Sequence, residues 1–397
     1  MAGATLTTFD PILKNQYLGP IREVLNNANE LLKRIGTDME SITGKNFTIP
    51  MHYGRNEGIG ARGDGEALPA AGSQAYKEAI VPMRYVYGRI QVTGPTIKAS
   101  ASDAGAFTRA ISSEIKGVTR DLRKAFNRML AGNGTGALTL CGTTSASTTV
   151  VVASTAKLRA GMPVDVLVYA TGATSTGAAG RSVASITSAT QFVISGAAIT
   201  TDNTFAVYVA GSRNKEVMGI GGIVSNADIP GGYGSFQNLA VASYPWHKAT
   251  VMANGGTARA ISDNLLQTFF DTVQQAGAGE ISALYTTPGV RRAYQALLTA
   301  TKVLSNTQEL KGGAKTITFN DFPFIVDFDL PTGKIFGLDE SSIQMYKEAD
   351  FDWMDQDGAV LSRVSGYDAY EAVLYCYMEL GNYVRNANGL LADITEA

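Results

Sequence analysis

Histidine and cysteine are nearly missing from this 397-residue chain: it has two of each, His52 and His247, Cys141 and Cys376. Two isolated imidazoles exclude most chemistry built on histidine clusters, whether metal centres or acid–base catalysis. The cysteines stand far apart in unlike contexts, so they give no disulfide framework, suit a reducing compartment and read as core residues. Basic excess is also missing. Lys plus Arg number 33 against 35 Asp plus Glu, a formal charge of −2, which argues against recognition of specific nucleic-acid sequences. The longest charge-free stretch, residues 129–156, is filled with Thr, Ser and Gly and cannot span a bilayer. Residues 1–10 lack the basic start and apolar run of a secretory signal, so synthesis and retention in the cytosol are expected.

Catalytic signatures are missing too. The chain contains no phosphate-binding Gly-x-x-x-x-Gly-Lys-Ser/Thr loop and no Gly-x-Ser-x-Gly elbow. Gly58, Gly60 and Gly63 spell the dinucleotide-binding glycine pattern, but Asp64, Gly65, Glu66 and then Pro69 follow where a helix N-terminus would have to hold pyrophosphate. Arg62-Gly63-Asp64 matches an adhesion tripeptide, which a glycine-rich loop produces by chance. The acidic run Asp350, Asp352, Asp355, Asp357-Gly358 resembles a calcium loop. Its register would place Trp353 and Val364 at ligand positions, so a solvated turn is expected. His247, in Pro245-Trp246-His247, is expected to be structural. No catalytic, cofactor or metal site is expected.

What is present is extended pattern. Phe47, Ile49, Met51 and Tyr53 alternate with polar residues, and residues 76–92 return with Met83, Tyr85 and Tyr87 on one parity and Val86, Ile90 and Val92 on the other. Between them lies a tip carrying Gly54, Gly58, Gly60, Gly63, Gly65 and Gly72 with no apolar payload. A two-stranded ribbon is marginal alone, so residues 44–101 are expected to lie on another subunit. N-terminal to it, Asp10-Pro11 opens a short helix and residues 21–35 form a second that stops at Gly36, read as an arm and not as core.

A long amphipathic helix over residues 102–132, capped by Ser102 or Asp103, follows. Its stripe is Phe107, Ile111, Ile115, Val118, Leu122, Phe126 and Met129, and Arg109, Lys116, Arg120, Arg123, Lys124 and Arg128 lie mostly off it. Those charges read as a solvated face, or as contacts to a neighbouring subunit or a polyanion.

Residues 137–210 change character: few charges, and short Val/Thr-rich runs at 148–154, 164–170, 182–187, 191–195 and 204–209 describe a small all-β sandwich or barrel, glycine-hinged and inserted. Residues 220–346 alternate strand and helix. Ser262-Asp263 caps one helix that ends at Gly277, Thr287-Pro288 opens another, and strands fit 281–286, 316–319, 323–328, 334–337 and 342–346. Residues 350–385 close in a tyrosine-rich strand, apolar on both parities and expected to be covered on both sides.

This order of parts, together with Ala79-Ile80-Val81-Pro82 and residues 85–90, resembles the major capsid proteins of tailed bacteriophages, the Hong Kong 97-like fold. The resemblance implies an α+β chain with a 1–43 N-terminal arm, a 44–101 extended loop and a 102–132 spine helix. It further implies a 137–210 inserted β domain, a 220–346 axial domain and 350–397 strands completing a peripheral domain. It implies inter-subunit contacts by Gly58, Gly60, Arg62, Gly63, Tyr76, Lys77, Tyr85 and Tyr87, with Phe107, Ile111, Ile115, Val118, Leu122 and Phe126 as the helix core. Pentamers and hexamers in a virion shell follow, with packaged double-stranded DNA, a separate scaffolding protein, a portal and a possible decoration protein as partners, and no membrane or cofactor. Relatives that cross-link covalently would direct attention to Lys77 with Asn382 or Asn386. A nanocompartment shell of the same fold, a surface adhesin using an Ig-like module, and an α/β enzyme are the competing readings.

Overall fold

A computed structural model of the chain describes residues 31, 34–38, 46–96, 104–174, 178–277, 279–300, 307–309, 315–355 and 360–397. The helix expected near Asp10, most of that expected over 21–35, the cap at Ser102 or Asp103 and the turn at Asp357-Gly358 lie outside the described residues.

One centre is a five-stranded sheet. Gly36–Asp38 runs parallel to Ile343–Trp353, which pairs antiparallel with Ala369–Asn382; that strand in turn pairs with Ser362–Arg363 and with Arg84–Thr93. The helix Ala104–Leu130, about 40 Å long at 1.5 Å per residue, lies across this sheet. Its close approach depends on Gly88, where a Cβ would stand 3.1 Å from Val118 Cγ2 and 3.8 Å from Leu122 Cδ2. Leu122 and Phe126 are buried with Val86, Leu374, Cys376 and Met378, while Ile115 and Val118 are half-buried. The side chains of Phe107 and Ile111 lie outside those described.

A second centre is a seven-stranded sheet in the order Thr250–Met252, Gly389–Leu391, Ile335–Leu338, Ala283–Thr286, Phe322–Val326, Lys315–Phe319, Thr307–Glu309. Helices Asp263–Ala276 and Pro288–Ala300 bury Phe269, Phe270, Val273, Val290 and Tyr294 against it. Ser262 caps the first of them, its hydroxyl accepting from Leu265 N at 3.2 Å.

Between the long helix and the seven-stranded sheet, residues 137–209 form a six-stranded antiparallel sheet: Ala137–Leu140, Phe205–Val209, Pro163–Val168, Arg181–Ser188, Gln191–Ile194, Thr149–Val151. Its edges meet. A bridge between Cys141 and Val152, with Gly142 N donating to Val151 O at 2.8 Å and Ala153 N to Leu140 O at 2.9 Å, closes it around Val150, Val164, Val166, Phe192 and Val207. Glycines with positive φ stand at both ends, Gly134 and Gly136 at the entry and Gly211 at the exit, and Arg213 donates to the carbonyls of Tyr169, Ala170 and Gly231 beside them.

Four expectations are corrected. The return run of the ribbon is two strands: Ala75–Pro82 pairs with Asn46–Gly54 as a hairpin, whereas Arg84–Thr93 belongs to the five-stranded sheet. Pro82, which has no N–H to donate, marks the change of partner. The hairpin is also less destitute than its isolation suggested, because Ile49, Met51, Ala79 and Val81 are buried against Leu239 and Tyr346 of the same chain. The N-terminal segment contributes to the core through Leu31 and Ile35, and Arg34 binds Glu340 at 2.5 Å. Finally, the boundary expected between 346 and 350 falls inside the strand Ile343–Trp353, and the C-terminal Gly389–Leu391 returns to the seven-stranded sheet.

Candidate assembly surfaces

The hairpin tip, residues 55–74, holds itself together by polar contacts. Asn56 bridges its two sides, Oδ1 accepting from Gly58 N at 2.7 Å and Nδ2 donating to Gly72 O at 3.1 Å. A Cβ at Gly58 would meet Gly72 N at 2.8 Å, so only glycine permits this approach. Arg62 donates to the Ala61 and Ala67 carbonyls, and Gly63 N donates to Glu66. Gly60 and Gly63 lie in this irregular loop with no helix after them. Two large apolar side chains are left in solvent: Ile59 at 71% and Leu68 at 86% exposure. Burying each would contribute roughly 1.5–3 kcal/mol.

On the strand Ala75–Pro82, Tyr76 and Lys77 are both exposed, on opposite faces of the hairpin. Tyr76 lies beside His52 at 5.0 Å and the Lys77 ammonium sits 5.4 Å over the Tyr244 ring. Past Pro82, alternation turns Val86, Ile90 and Val92 inward and Tyr85 and Tyr87 outward, 48% and 53% exposed. Their cross-strand neighbours are Tyr377 and Tyr375. Tyr85 meets Tyr377 edge-on at 4.9 Å and Tyr375 tilts against Tyr377 at 5.0 Å, giving an aromatic patch on the sheet face turned away from the long helix. Desolvation and Tyr377 push the Tyr87 phenol up to about 12. The tyrosine half of this strand is thus half-open, not covered on both sides; only its 379–382 end is enclosed. A cleft of about 580 Å³ lies between Tyr85, Tyr87, Leu122, Met129 and Lys215.

The base of the hairpin is locked by a buried charge. Glu379 accepts from Met218 N at 2.6 Å and Leu380 N at 2.9 Å and pairs with Arg84 Nε at 3.3 Å; Arg84 also donates to the Tyr233 hydroxyl at 2.7 Å. Desolvation outweighs these donors and raises the Glu379 carboxyl to about 7. Nearby, the buried Arg385 donates to the carbonyls of Ile223 at 2.8 Å, Gly222 at 3.0 Å and His247 at 3.1 Å, and lies 4.7 Å over the Phe236 ring. Burial, then the Arg385 charge, lowers His247 to about 3. Sequence reasoning passed over Glu379 and Arg385; the available signal was a lone charge within the apolar 372–380 run.

These two groups act oppositely with pH. Glu379 holds its proton more tightly when folded, so its contribution is complete below about pH 4.5 and lost as pH rises through 7; His247 contributes fully above about pH 6.5 and loses this as pH falls toward 3. Each is worth on the order of 3–5 kcal/mol over its window. From pH 6.5 to 4.5 they cancel, so urea denaturation should show stability rising slightly from pH 7.5 to 6.5 and His247→Asn flattening the loss below pH 4.5. An acid limb identical in wild type and His247→Asn would refute this.

Among the remaining residues considered from sequence, both cysteines are buried and free, their thiols pushed up to about 12 by burial. Asn382 is buried and donates to Ser342 Oγ at 3.1 Å, which closes it to a neighbour's lysine; Asn386 donates to Ala276 O at 3.1 Å. Asp350 pairs with Lys347 at 3.2 Å within a strand. Among the described residues no three His, Cys, Asp or Glu side chains converge as a metal site, and no helix is long and apolar enough to cross a membrane.

No family model and no curated protein sequence matches the chain. Solved structures do. The cyanophage A-1(L) capsid aligns over 99% of this chain and 100% of its own, at 12% identity and a TM-score of 0.59. The holo-SrpI encapsulin complex from Synechococcus elongatus PCC 7942 aligns over 100% and 97%, at 9% identity and 0.49, and the capsid of Myoviridae phage XM1 over 92% and 91%, at 9% and 0.47. The first of these shows that the chain has a capsid-protein fold along its whole length, as the resemblance in sequence order implies.

Proposed function

We propose that a chain with this fold is the major capsid protein of a tailed double-stranded DNA phage, assembling through pentamers and hexamers into an icosahedral virion shell in the host cytoplasm. The observation that carries the reading is the whole-length match to a phage capsid protein. The tip that leaves Ile59 and Leu68 in solvent fits it. Function is assembly: each subunit extends its hairpin over a neighbour, and Gly58, Gly60, Arg62, Gly63, Tyr76, Lys77, Tyr85 and Tyr87 make contacts whose modest individual energies sum across the shell. Glycines let the tip follow the neighbour's surface closely, and the tyrosines add contact area at low entropic cost.

In this reading the long helix and five-stranded sheet form the peripheral domain, the seven-stranded sheet and its helices the axial domain, and 137–210 an outward insertion. A scaffolding protein, a portal and a decoration protein are further partners, and DNA is enclosed without sequence recognition. Expressed alone, residues 137–210 should give a β-type circular dichroism spectrum and a cooperative thermal transition; a disordered spectrum would overturn the insertion's autonomy.

Negative-stain microscopy of the purified protein tests the reading, with closed shells expected and dispersed monomers contradicting it. A nanocompartment is the alternative of the same architecture. Nuclease-protected DNA inside particles from the native source favours the phage reading, and an enclosed enzyme in its place favours the other.

A further inference from the structure

We infer that the solvent-facing side of the long helix is a contact surface for the phosphate backbone of double-stranded nucleic acid, through Lys116, Arg120 and Lys124. The inference rests on the shell reading and names the surface that meets the enclosed polymer.

The three residues are spaced by four, so they spread over about 80° of the helix, with Arg120 about 160° around from Leu122. Leu122 and Phe126 are buried against the sheet, whereas Lys116, Arg120 and Lys124 are all exposed. Successive charges rise about 6 Å along the axis, making a stripe of about 12 Å. Duplex DNA carries one negative charge per roughly 1.7 Å of its axis with both strands counted, so the stripe spans a length of duplex that holds about seven phosphates, those of the near side facing it.

Compensation within the subunit is slight. Among the described residues Lys116 and Lys124 form no ion pair, and Arg120 has only Asp121 at 3.8 Å, with side-chain exposures of 66% and 65%. A pair so exposed is worth little. Glu114, the other acid on this stretch, lies about 120° from Arg120 around the helix.

Charge complementarity selects the partner. The stripe presents cations without an exposed large apolar side chain among the described helix residues, so it offers no pocket to anchor a peptide. A uniform polyanion needs only charge, and a chain with formal charge −2 that concentrates three cations on one helix face binds such a polymer weakly and without sequence preference. Weak contact is what a polymer that must be packed in and released requires.

The test is fluorescence anisotropy of a labelled 30-base-pair mixed-sequence duplex titrated at 20–200 mM salt with the full-length protein as dispersed subunits, separated from closed shells by size exclusion, so that the helix face is open to the duplex. Unmodified protein should bind with an affinity that falls steeply with salt. K116Q/R120Q/K124Q should reduce the slope of log K against log salt by about 2–3 and weaken binding at least tenfold at the lowest salt, with an unchanged thermal midpoint. No binding by unmodified protein, or an unchanged slope in the triple variant, overturns the inference. A triple variant that keeps the duplex affinity but forms no shells also overturns it and assigns the stripe to a subunit interface. Shell formation by the unmodified protein is scored separately, so loss of the shell reading is distinguishable from loss of this one.

Discussion

Subunits in which residues 56–74 are replaced by the dipeptide Asn-Gly should fold, stay soluble and fail to close into shells. The replacement removes a segment whose bonds run largely within itself, through Asn56, Arg62 and Glu66. The hairpin beneath it keeps its register from Asn46↔Pro82 to Gly54↔Ala75 and its packing on Leu239 and Tyr346. Shortening a loop lowers its closure entropy by about 0.6 kcal/mol per halving, so stability in urea should be unchanged or raised by about 1–2 kcal/mol. Assembly behaves differently. Removing Ile59 and Leu68 forfeits roughly 3–6 kcal/mol at every subunit contact that buries them. Repeated around a closed shell, that loss leaves no concentration at which particles dominate. Normal shells from this variant would show that the tip is dispensable; an unfolded subunit would show that it belongs to its own core.

Arg385→Met should cost about 3–5 kcal/mol of subunit stability, the largest effect expected of a single substitution. The guanidinium is fully buried and serves three carbonyls, those of Gly222, Ile223 and His247. Methionine matches much of its volume but leaves those oxygens without their charged donor, and each hydrogen bond to a charged group is worth about 1.5–3 kcal/mol. Part of this is returned, because burial already lowers the Arg385 pKa to about 10, a measure of the desolvation that folding has to overcome. Urea denaturation measures the difference. A loss below about 1 kcal/mol would mean that the guanidinium is a neutral tenant of the core and not the anchor of the 219–249 segment.

The parts of the fold that local pattern determines were legible before any coordinates. Helix Asp263–Ala276 begins at its Ser262 cap and ends before Gly277 as read, and the long helix carries its stripe at Leu122 and Phe126. Some strands of three or four residues were read, such as Ala283–Thr286 and Ile335–Leu338, and others were missed: Ala137–Leu140, Thr144–Ser147, Ile199–Thr201, Thr250–Met252 and Gly389–Leu391. They are too short to show alternation, and they exist because a distant strand pairs with them. Residues 75–93 carry apolar side chains on both parities, so the switch of the inward face between Met83 and Val86, where pairing passes from Asn46–Gly54 to Ala369–Asn382, did not stand out in the pattern. Nor could it show that Tyr346, almost 300 residues from Phe47, stacks on that ring at 4.3 Å. Of the proposed contact surface, the glycine tip and the outward tyrosines were visible as composition and parity, whereas the Glu379 and Arg385 locks depend on carbonyls and amides brought together from separate segments.

Electron cryomicroscopy of the purified particle, at a resolution that traces residues 55–74, bears most directly on the central claim. A closed shell in which Ile59 and Leu68 are covered by an adjacent copy is the outcome expected here. Particles absent at high concentration, with those two side chains folded onto their own subunit, would contradict it.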